Sequence, residues 1–434
     1  MAEQHAATVF LSYRRKDLEH TGEGEELSQV ERIERYLKAC GLRVWRDLTT
    51  MKDGEVFHAD VASAIADCDV FLLYLTPRAI ESEQGYIWTH EVSAALARER
   101  KGERIRIIPV FHGVKEDAVK AIADGLYSSL GYQPLADHEG IPLPEKGDEP
   151  LSQQSLRLIA KRVLKAGFEA YLTRIGAGSD HEAWLHFWAG PQYETLQSAH
   201  YDLELDWHDL FRRVEPTGEL LYPTQDQWRD LFLPALDDMV DILNRANISK
   251  IVHVFSKVRY SAAVTFGFAF RNMASVQLHL ERENARDGRQ TWSTAVSPYD
   301  DEPLEEIPMP GFGRESLAEV ALIEVAITSE ISEQEARKDA QALGLLPRYR
   351  VQLKAKSPGR GSVKGAADAM AKAQQIRQYI HRLRKEHGVQ HIHVFIAAPV
   401  ELAILLGHQL NATGRITVYD YANSHYLAGP TLNS

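Results

Sequence analysis

Apolar runs and amphipathic stretches alternate through the first third of the chain. The apolar runs are short and bounded by polar residues, which is typical of buried strands. Stretches with helical spacing lie between them, such as VERIERYLKACG at 30–41, where Gly41 is a helix stop. This alternation predicts an α/β fold with a parallel sheet covered by helices on both faces. The predicted strands are ATVFLSY ending at Tyr13, LRVWRD at 42–47, VFLLYLT at 70–76 and IRIIPVFHG at 105–113.

The second half of the chain contains an internal repeat. HVFSKVRYSAAVTFG at 253–267 and HVFIAAPVELAILLG at 393–407 each indicate a strand, a short turn and a helix rich in small residues. The match continues into the next apolar run, because Val276 falls at the position of Ile416. We therefore expect two related α/β lobes. The small residues predict tight packing of the two helices against the sheets, and they include Ala262, Ala263, Ala403 and Gly407.

A helical stretch and a short polar segment separate the two halves. SQQSLRLIAKRVLKAGFEAYL at 152–172 indicates a closing helix with Ser152 as its N-cap. RIGAGSD at 174–180 follows it and is typical of a linker. The predicted organisation is a first domain at 1–173, a linker at 174–182 and a second domain at 183–434, with lobes at about 183–310 and 311–434.

Composition narrows the choice of function. The chain has 434 residues and a net charge of −12, which disfavours binding to long nucleic acid because that affinity comes from lysine and arginine on phosphates. The two cysteines, Cys40 and Cys68, predict no disulfide framework and a reducing cytoplasm. The first residues lack a basic segment followed by an apolar one, and no apolar run approaches the roughly twenty residues of a membrane helix. We expect a soluble cytoplasmic protein without a membrane partner.

Polar and aromatic residues follow three successive strands of the first half. Because ligands of doubly wound sheets bind beyond the carboxyl ends of the strands, these residues are candidates for one site. The tryptophans could instead be core aromatics, and the arginine and aspartate a solvated pair. The candidates are Ser12, Tyr13 and Arg14 after the first strand, Trp45 and Asp47 after the second, and Glu91 at the start of the helix after the third.

Three motifs of the first half resemble the TIR domain family. They are FLSYRRKD at 10–17, VWRD followed by a glycine-containing loop, and W-x-x-E leading into EVSAAL, and the resemblance covers about residues 6–165. It implies a flavodoxin-like parallel-sheet fold. Enzymatic TIR domains use a glutamate of this helix to cleave NAD between nicotinamide and ribose, and Glu91 is the residue that matches. The other five candidates would then bind NAD, which is a substrate and not a cofactor.

The position of the acid has rivals. The family has its tryptophan four residues before the glutamate, whereas Trp88 lies three before Glu91. If the natural chain has a glutamate in place of Gln84, the acid belongs there. Some TIR domains are adaptors that leave NAD intact, and the fold does not separate the two classes. The alternative positions for the acid are Glu81, Glu83 and Gln84.

The turns after the two repeated strands are candidates for an anion site. A helix that begins directly after a strand points free N–H groups at the strand end, where a phosphate fits. A basic stretch between Asp339 and Asp368 adds charge, unless it is a solvated loop. The tyrosines near the end of the chain could stack on bases or pack in the core. The candidates are Ser256, Lys257, Arg259, Ala397, Pro399, Arg348, Arg350, Lys364 and Tyr421.

HVFIAAPVELAILLG and the tyrosine-rich ITVYDYANSHY resemble the SAVED family, over about residues 183–434. The resemblance implies two fused CARF-like Rossmann lobes that sense a cyclic oligonucleotide in bacterial anti-phage signalling (CBASS). The implied function is an effector that hydrolyses NAD when a cyclic oligonucleotide, with cyclic triadenylate expected, binds the second domain and assembles chains head to tail into an oligomer or filament. This ligand is an activator, and we predict neither a cofactor nor a metal site. A nuclease that uses the basic stretch is an alternative, although no constellation of metal-binding carboxylates stands out.

Overall fold

The computed structural model describes residues 6–14, 27–46, 57–80, 86–114, 139–147, 149–191, 201–271, 276–284, 288–300, 302–313 and 316–434. These residues form two compact units. The first unit comprises the chain up to His181 together with two short stretches that end at Leu205 and Ile248, and the second unit comprises the rest. Within the described residues, no helix has the length and apolar character needed to cross a bilayer.

The first unit contains a parallel sheet. Its strands are β1 (Thr8–Ser12), β2 (Arg43–Trp45), β3 (Val70–Leu75), β4 (Arg106–Phe111) and β5 (Ile141–Pro142). They follow the order β2-β1-β3-β4-β5, and each neighbouring pair is parallel. The alternating pattern of the sequence is confirmed. The carboxyl ends of β1, β2 and β3 consequently lie at one edge of the sheet, where ligands of such folds bind.

Helices connect these strands, and their ends follow local sequence signals. A π-helical turn at Ile87–Val92 leads directly into α4. The closing helix α5 begins after Ser152, whose hydroxyl accepts a hydrogen bond from a backbone N–H, and it ends at Gly176 with a φ of 69°. The helix therefore extends into the segment that the sequence indicated as a linker. The helices are α1 (Gln29–Ala39), α2 (Phe57–Asp67), α3 (Pro77–Ile80), α4 (Ser93–Arg100) and α5 (Gln153–Ile175).

The strands beyond α5 form a repeated pattern. Four strands of the second unit follow the order β12-β11-β10-β6, and six follow the order β18-β17-β16-β14-β15-β13. In both sheets the first-named pair is antiparallel and the next two pairs are parallel, as the repeat predicts. These strands and the short ones between them are β6 (Ala183–Ala189), β7 (Leu203–Asp206), β8 (Arg213–Val214), β9 (Glu219–Leu220), β10 (Ile251–Val258), β11 (Gln277–Asn284), β12 (Gly288–Ser293), β13 (Glu305–Met309), β14 (Leu317–Ala326), β15 (Pro347–Lys354), β16 (His391–Ala397), β17 (Arg415–Ala422) and β18 (His425–Asn433).

The helices that follow α5 include the two helices of the repeat. The helices after α5 are α6 (Gln225–Gln227), α7 (Leu233–Arg245), α8 (Tyr260–Ala269), α9 (Glu333–Ala342), α10 (Ala366–His387) and α11 (Val400–Gln409). The two helices of the repeat are α8 and α11. A 3-10 turn at His208–Leu210 precedes α6, and a π-helical turn at Trp228–Phe232 separates α6 from α7.

The two repeated helices, α8 and α11, cross each other at glycines. A Cβ atom on Gly267 would lie 2.0 Å from the carbonyl oxygen of Ile404, and one on Gly407 would lie 2.1 Å from the carbonyl oxygen of Val264. Both distances are far below van der Waals contact, so only glycine permits this approach. The prediction that the small residues pack against the sheets is corrected at these positions, because here the close contact joins one helix to the other.

Candidate functional site

Ser12 and Glu91 meet at the end of β1. The Ser12 hydroxyl donates a hydrogen bond of 2.6 Å to Oε2 of Glu91, and the two residues are only 1% and 7% exposed. Glu91 lies inside the π-helical turn at Ile87–Val92, whereas the sequence placed it at the start of a helix. Short π-helical turns occur often at functional sites. The structure thus brings two of the predicted site residues together.

Trp88 fixes the turn that contains Glu91. Its indole N–H donates to the carbonyl of Ala79 at 3.2 Å, and its own carbonyl accepts from the Ser93 hydroxyl at 2.9 Å. The Trp88 ring is buried in the apolar core of the first unit. The structure therefore supports the core interpretation of this tryptophan, and the hydrogen bonds of its indole and of its backbone carbonyl hold the turn in which Glu91 lies.

Tyr13 lies beside a buried arginine that the sequence analysis missed. The Arg46 guanidinium is 6.0 Å from the centre of the Tyr13 ring, and its Nε donates a 2.6 Å hydrogen bond to Glu34 of α1. A buried cation requires such a partner, because desolvation otherwise costs several kcal/mol. The position of Arg46 in the sequence could have identified it, because it lies directly after β2 and between Trp45 and Asp47, which were both predicted as site residues.

The other candidates of the first unit differ in their surroundings. Trp45 stacks on Phe10 with ring centres 4.8 Å apart, so it belongs to the core stack of the sheet. The Arg14 guanidinium donates to the backbone carbonyl of Arg78. Four residues of the predictions lie outside the described part of the chain, namely Asp47, Glu81, Glu83 and Gln84.

A cavity of about 1060 Å³ opens in the second unit. Residues that follow β6 and β10 of the first lobe and β14 and β16 of the second lobe line it, together with the loop before α10. Both lobes therefore present the carboxyl ends of parallel strands, where open α/β sheets bind ligands. The charged lining residues are Lys257, Arg259, Arg282, Arg360, Lys364 and Glu401, and the neutral ones include Ser256, Tyr260, Gln290, Trp292, Thr328 and Pro399.

Five of the nine predicted ligand residues line this cavity. They are Ser256, Lys257, Arg259, Pro399 and Lys364. Two further cations of the lining, Arg282 and Arg360, were not selected. Arg360 belongs to the basic stretch that the sequence analysis noted, but Arg282 comes from β11, where no sequence signal marks it.

The remaining four predicted residues are not among those that line the cavity. Arg350 forms a 2.7 Å ion pair with Glu324 in which both side chains are 0% exposed, so its charge is neutralised inside the second lobe. Arg348 is exposed on β15. The Ala397 carbonyl accepts a 2.9 Å hydrogen bond from Thr328. Tyr421 is exposed, and its ring lies edge-on to that of Tyr426 with ring centres 5.1 Å apart.

A carboxylate of the second lobe occupies the N-terminus of α8. Asp420 accepts a 2.7 Å hydrogen bond from the N–H of Tyr260, and the hydroxyls of Ser261 and Tyr222 also donate to it. Burial raises the pKa of Asp420, and these hydrogen bonds oppose that effect. The expectation of a phosphate on the free N–H groups of this helix is corrected, since the chain itself supplies the anion.

A buried charge cluster holds the loop that precedes α10. The Lys372 ammonium contacts Asp368 and donates to Asp300 at 2.9 Å, while Asp368 also accepts the backbone N–H of Lys364 at 2.8 Å. The loop thereby has a fixed end next to the residues that it contributes to the cavity, Arg360 and Lys364. Lys372 itself is not part of the lining, so it acts on the cavity through Asp368.

Family models match both parts of the chain. A model of the TIR domain matches residues 9–141. A model of the SMODS-associated and fused to various effectors sensor domain, SAVED, matches residues 234–429.

Individual proteins are similar to the chain over different lengths. NAD(+) hydrolase TcpA of Theionarchaea archaeon (strain DG-70-1) is 25% identical over 169 residues, which are 36% of this chain and 46% of the relative. The chain thus spans about half the length of this curated relative. The Cap4 SAVED/CARF-domain containing receptor of Acinetobacter baumannii, solved with the cyclic trinucleotide 3'3'3'-cAAA, is 14% identical with a TM-score of 0.47, covering 89% of this chain and 87% of that one. The Cap4 receptor of Moraxella osloensis is 16% identical with a TM-score of 0.43, covering 87% and 85%.

Proposed function

Because the chain carries a TIR domain followed by a SAVED domain, we propose that it is an effector that hydrolyses NAD when a cyclic oligonucleotide binds the second domain. The observation on which the proposal rests is the cavity between the two lobes, with five cationic side chains in its lining. In a chain of net charge −12, such a local concentration of cations suits an anionic ligand.

The residues that line the cavity suit a ligand with several phosphates and several bases. Lys257 and Arg259 approach from the first lobe, and Arg360 and Lys364 approach from the second. The two cations of each lobe can therefore bind different phosphates of one ring. Trp292 and Tyr260 add aromatic surface for bases. Cyclic triadenylate, a ring of three nucleotides, is the activator that we propose.

The catalytic part of the proposal concerns the Ser12–Glu91 pair. Hydrolysis breaks the bond between the ribose C1' and the nicotinamide nitrogen, and the bonding electrons neutralise the pyridinium, so the leaving group needs no proton. The ribose then develops positive oxocarbenium character, which a nearby carboxylate stabilises. Water then adds at C1', one of its protons is lost to solvent, and the product is ADP-ribose. Glu91 is the carboxylate that we propose for this role, and its hydrogen bond from Ser12 fixes its orientation.

Activation by the ligand requires two states of the chain with different ligand affinity. We propose that the liganded state assembles head to tail, so that neighbouring TIR domains complete each other's NAD sites. A heterologous contact of this kind that does not close into a ring produces a filament. Dilution of the protein at saturating ligand should then lower the turnover per chain.

The test is release of fluorescence from an etheno-NAD analogue by the full chain, alone and with cyclic di-, tri- and tetranucleotides. We expect turnover with a cyclic trinucleotide only. A Lys257→Ala, Lys364→Ala double variant should need at least about tenfold more ligand, because two charged contacts are lost. Glu91→Gln should abolish turnover at every ligand concentration.

Gln84→Glu serves as the matched variant for the position of the acid. If this substitution raises turnover strongly while Glu91→Gln remains active, the acid lies at position 84 and the assignment to Glu91 is wrong. If neither the unmodified chain nor Gln84→Glu cleaves NAD with any ligand, the TIR domain is an adaptor and the proposed activity is wrong.

A further inference from the structure

Glu401 differs in charge from its neighbours in the cavity. Among the described residues that line the cavity it is the only acid, and five cations surround the same space. It lies in the first turn of α11, and its side chain is 16% exposed. Nε of Arg282 lies 4.0 Å from its carboxylate oxygen. That distance is too long for a hydrogen bond.

A carboxylate in this position affects what can bind beside it. An ionised carboxylate only accepts hydrogen bonds. A phosphate of the ligand placed against Glu401 would meet a like charge, which costs several kcal/mol when it is desolvated. Glu401 therefore suits a part of the ligand that donates hydrogen bonds.

We propose that Glu401 is a specificity-determining residue that accepts a hydrogen bond from a neutral donor of the bound nucleotide. This inference rests on the proposed function, because it assumes a cyclic oligonucleotide in the cavity. In a 3',5'-linked ring of adenosines, the donors are the amino groups of the bases and the 2'-hydroxyls. The four phosphate-facing cations Lys257, Arg259, Arg360 and Lys364 bind every ring of this class, whereas Glu401 selects among them.

Arg282 and Trp292 place the donor group near Glu401. The Arg282 guanidinium carbon lies 5.3 Å from the centre of the Trp292 ring, and the Nε of the same side chain lies 4.0 Å from the Glu401 carboxylate. Trp292 and Arg282 both line the cavity, so a base can lie against them with its edge toward the carboxylate. A site that is built to accept from an amino group discriminates against bases that lack it, because the carboxylate is then left unpaired.

The experiment measures binding of three rings to the full chain by titration calorimetry. The rings are cyclic triadenylate, the same ring with unsubstituted purine in place of adenine, and the 2'-deoxy ring of adenine. We expect the unmodified chain to bind cyclic triadenylate about 10- to 100-fold more tightly than one of the two analogues, which is the range for a hydrogen bond to a charged group. Weaker binding of the purine-substituted analogue assigns the donor to the base. Weaker binding of the 2'-deoxy analogue assigns the donor to the ribose.

Glu401→Leu removes the acceptor and should reduce that preference to less than about threefold, whatever happens to the absolute affinity. Glu401→Gln keeps a neutral acceptor and should give an intermediate preference. Glu302→Gln is the matched control, because Glu302 is the carboxylate 3.4 Å from the Lys364 ammonium and does not line the cavity. It should change the affinity for all three rings equally.

Two results overturn the inference in different ways. Equal affinity of the unmodified chain for all three rings, or an unchanged preference in Glu401→Leu, shows that Glu401 does not select the ligand while the sensor function stands. Failure of all three rings to bind contradicts the proposed function itself, and the inference fails with it.

Discussion

The hydroxyl of Ser12 donates a 2.6 Å hydrogen bond to the carboxylate of Glu91, across 79 positions of the chain. One residue ends the first strand, and the other lies in a π-helical turn. Ser12→Ala should lower kcat for NAD about tenfold, because the carboxylate loses the donor that orients it. Ser12→Thr keeps the hydroxyl and should retain most of the activity. Equal kcat of Ser12→Ala and the unmodified chain, measured with etheno-NAD at saturating activator, would contradict this role.

The crossing of α8 and α11 predicts an unusual response to alanine. Alanine normally stabilises a helix interior by about 1 kcal/mol relative to glycine. At Gly267 and at Gly407 the added methyl would overlap a backbone carbonyl, so each substitution should instead lower the free energy of unfolding by about 1–3 kcal/mol. The two losses should be less than additive, because moving α8 and α11 apart to accommodate one added methyl also makes room for the other. Gly359→Ala, at a site with no atom within 4 Å of the added group, is the control in denaturant titrations.

The buried Lys372 predicts an effect on ligand binding without contact to the ligand. Lys372→Met removes the cation that holds Asp368, and with it the anchor of the loop that contains Arg360 and Lys364. We expect cyclic triadenylate to bind about tenfold more weakly, with a shallower dependence of log affinity on log salt, because fewer cations then face the phosphates. Lys385→Met, an exposed substitution on the same helix, should leave both quantities unchanged. A weaker affinity with an unaltered salt slope would show that the loop still presents its cations.

Acid should destabilise the second lobe through His393. Burial, with His391 and Arg415 acting in the same direction, lowers the pKa of His393 to about 3, whereas the ordinary value in an unfolded chain is about 6.5. Between these values the unfolded chain binds a proton that the folded chain does not. The stabilisation is therefore present above about pH 6.5 and is lost as the pH falls toward 3, with about 2 kcal/mol gone at pH 5.

His393→Asn tests this relationship by denaturant unfolding at pH 7 and pH 5. Asparagine can place its amide where the ring has Nδ1 and keep the contact with the Tyr419 hydroxyl, but it leaves part of the buried ring volume empty, so the variant should be less stable at pH 7. Its further loss on acidification should be about 2 kcal/mol smaller than that of the unmodified chain. His425→Asn, at an exposed histidine, should keep the full pH dependence. The same pH dependence in all three proteins would contradict the assignment.

Patterns within a few residues predicted most of the framework. The apolar runs located β1, β3 and β4, Ser152 located the start of α5, and the repeat at 253–267 and 393–407 located two equivalent strands and helices. These features depend on periodicity and on capping, which act over neighbouring positions of the chain. The same local signals identified Ser12 and Glu91 separately, but not the hydrogen bond between them.

Contacts between distant segments determined which charges face the cavity. Arg350 and Lys364 belong to one basic stretch, yet Arg350 pairs with Glu324 inside the lobe whereas Lys364 lines the cavity. Asp420 reaches the start of α8 from 159 positions away and takes the place that was predicted for a phosphate. Neither partner can be read from the local pattern, because each arises only when separate strands and helices come together.

The reciprocal glycines of α8 and α11 also bear on the origin of the second unit. Gly267 meets Ile404 where Gly407 meets Val264, and these four residues occupy two equivalent places in the repeat. Two identical chains related by a two-fold axis make contacts of this self-complementary kind. The crossing is thus the arrangement expected if an ancestor with one lobe formed two-fold dimers and was then duplicated and fused into one polypeptide. Once fused, the copies could diverge independently: Asp420 now stands where the first copy has Leu280.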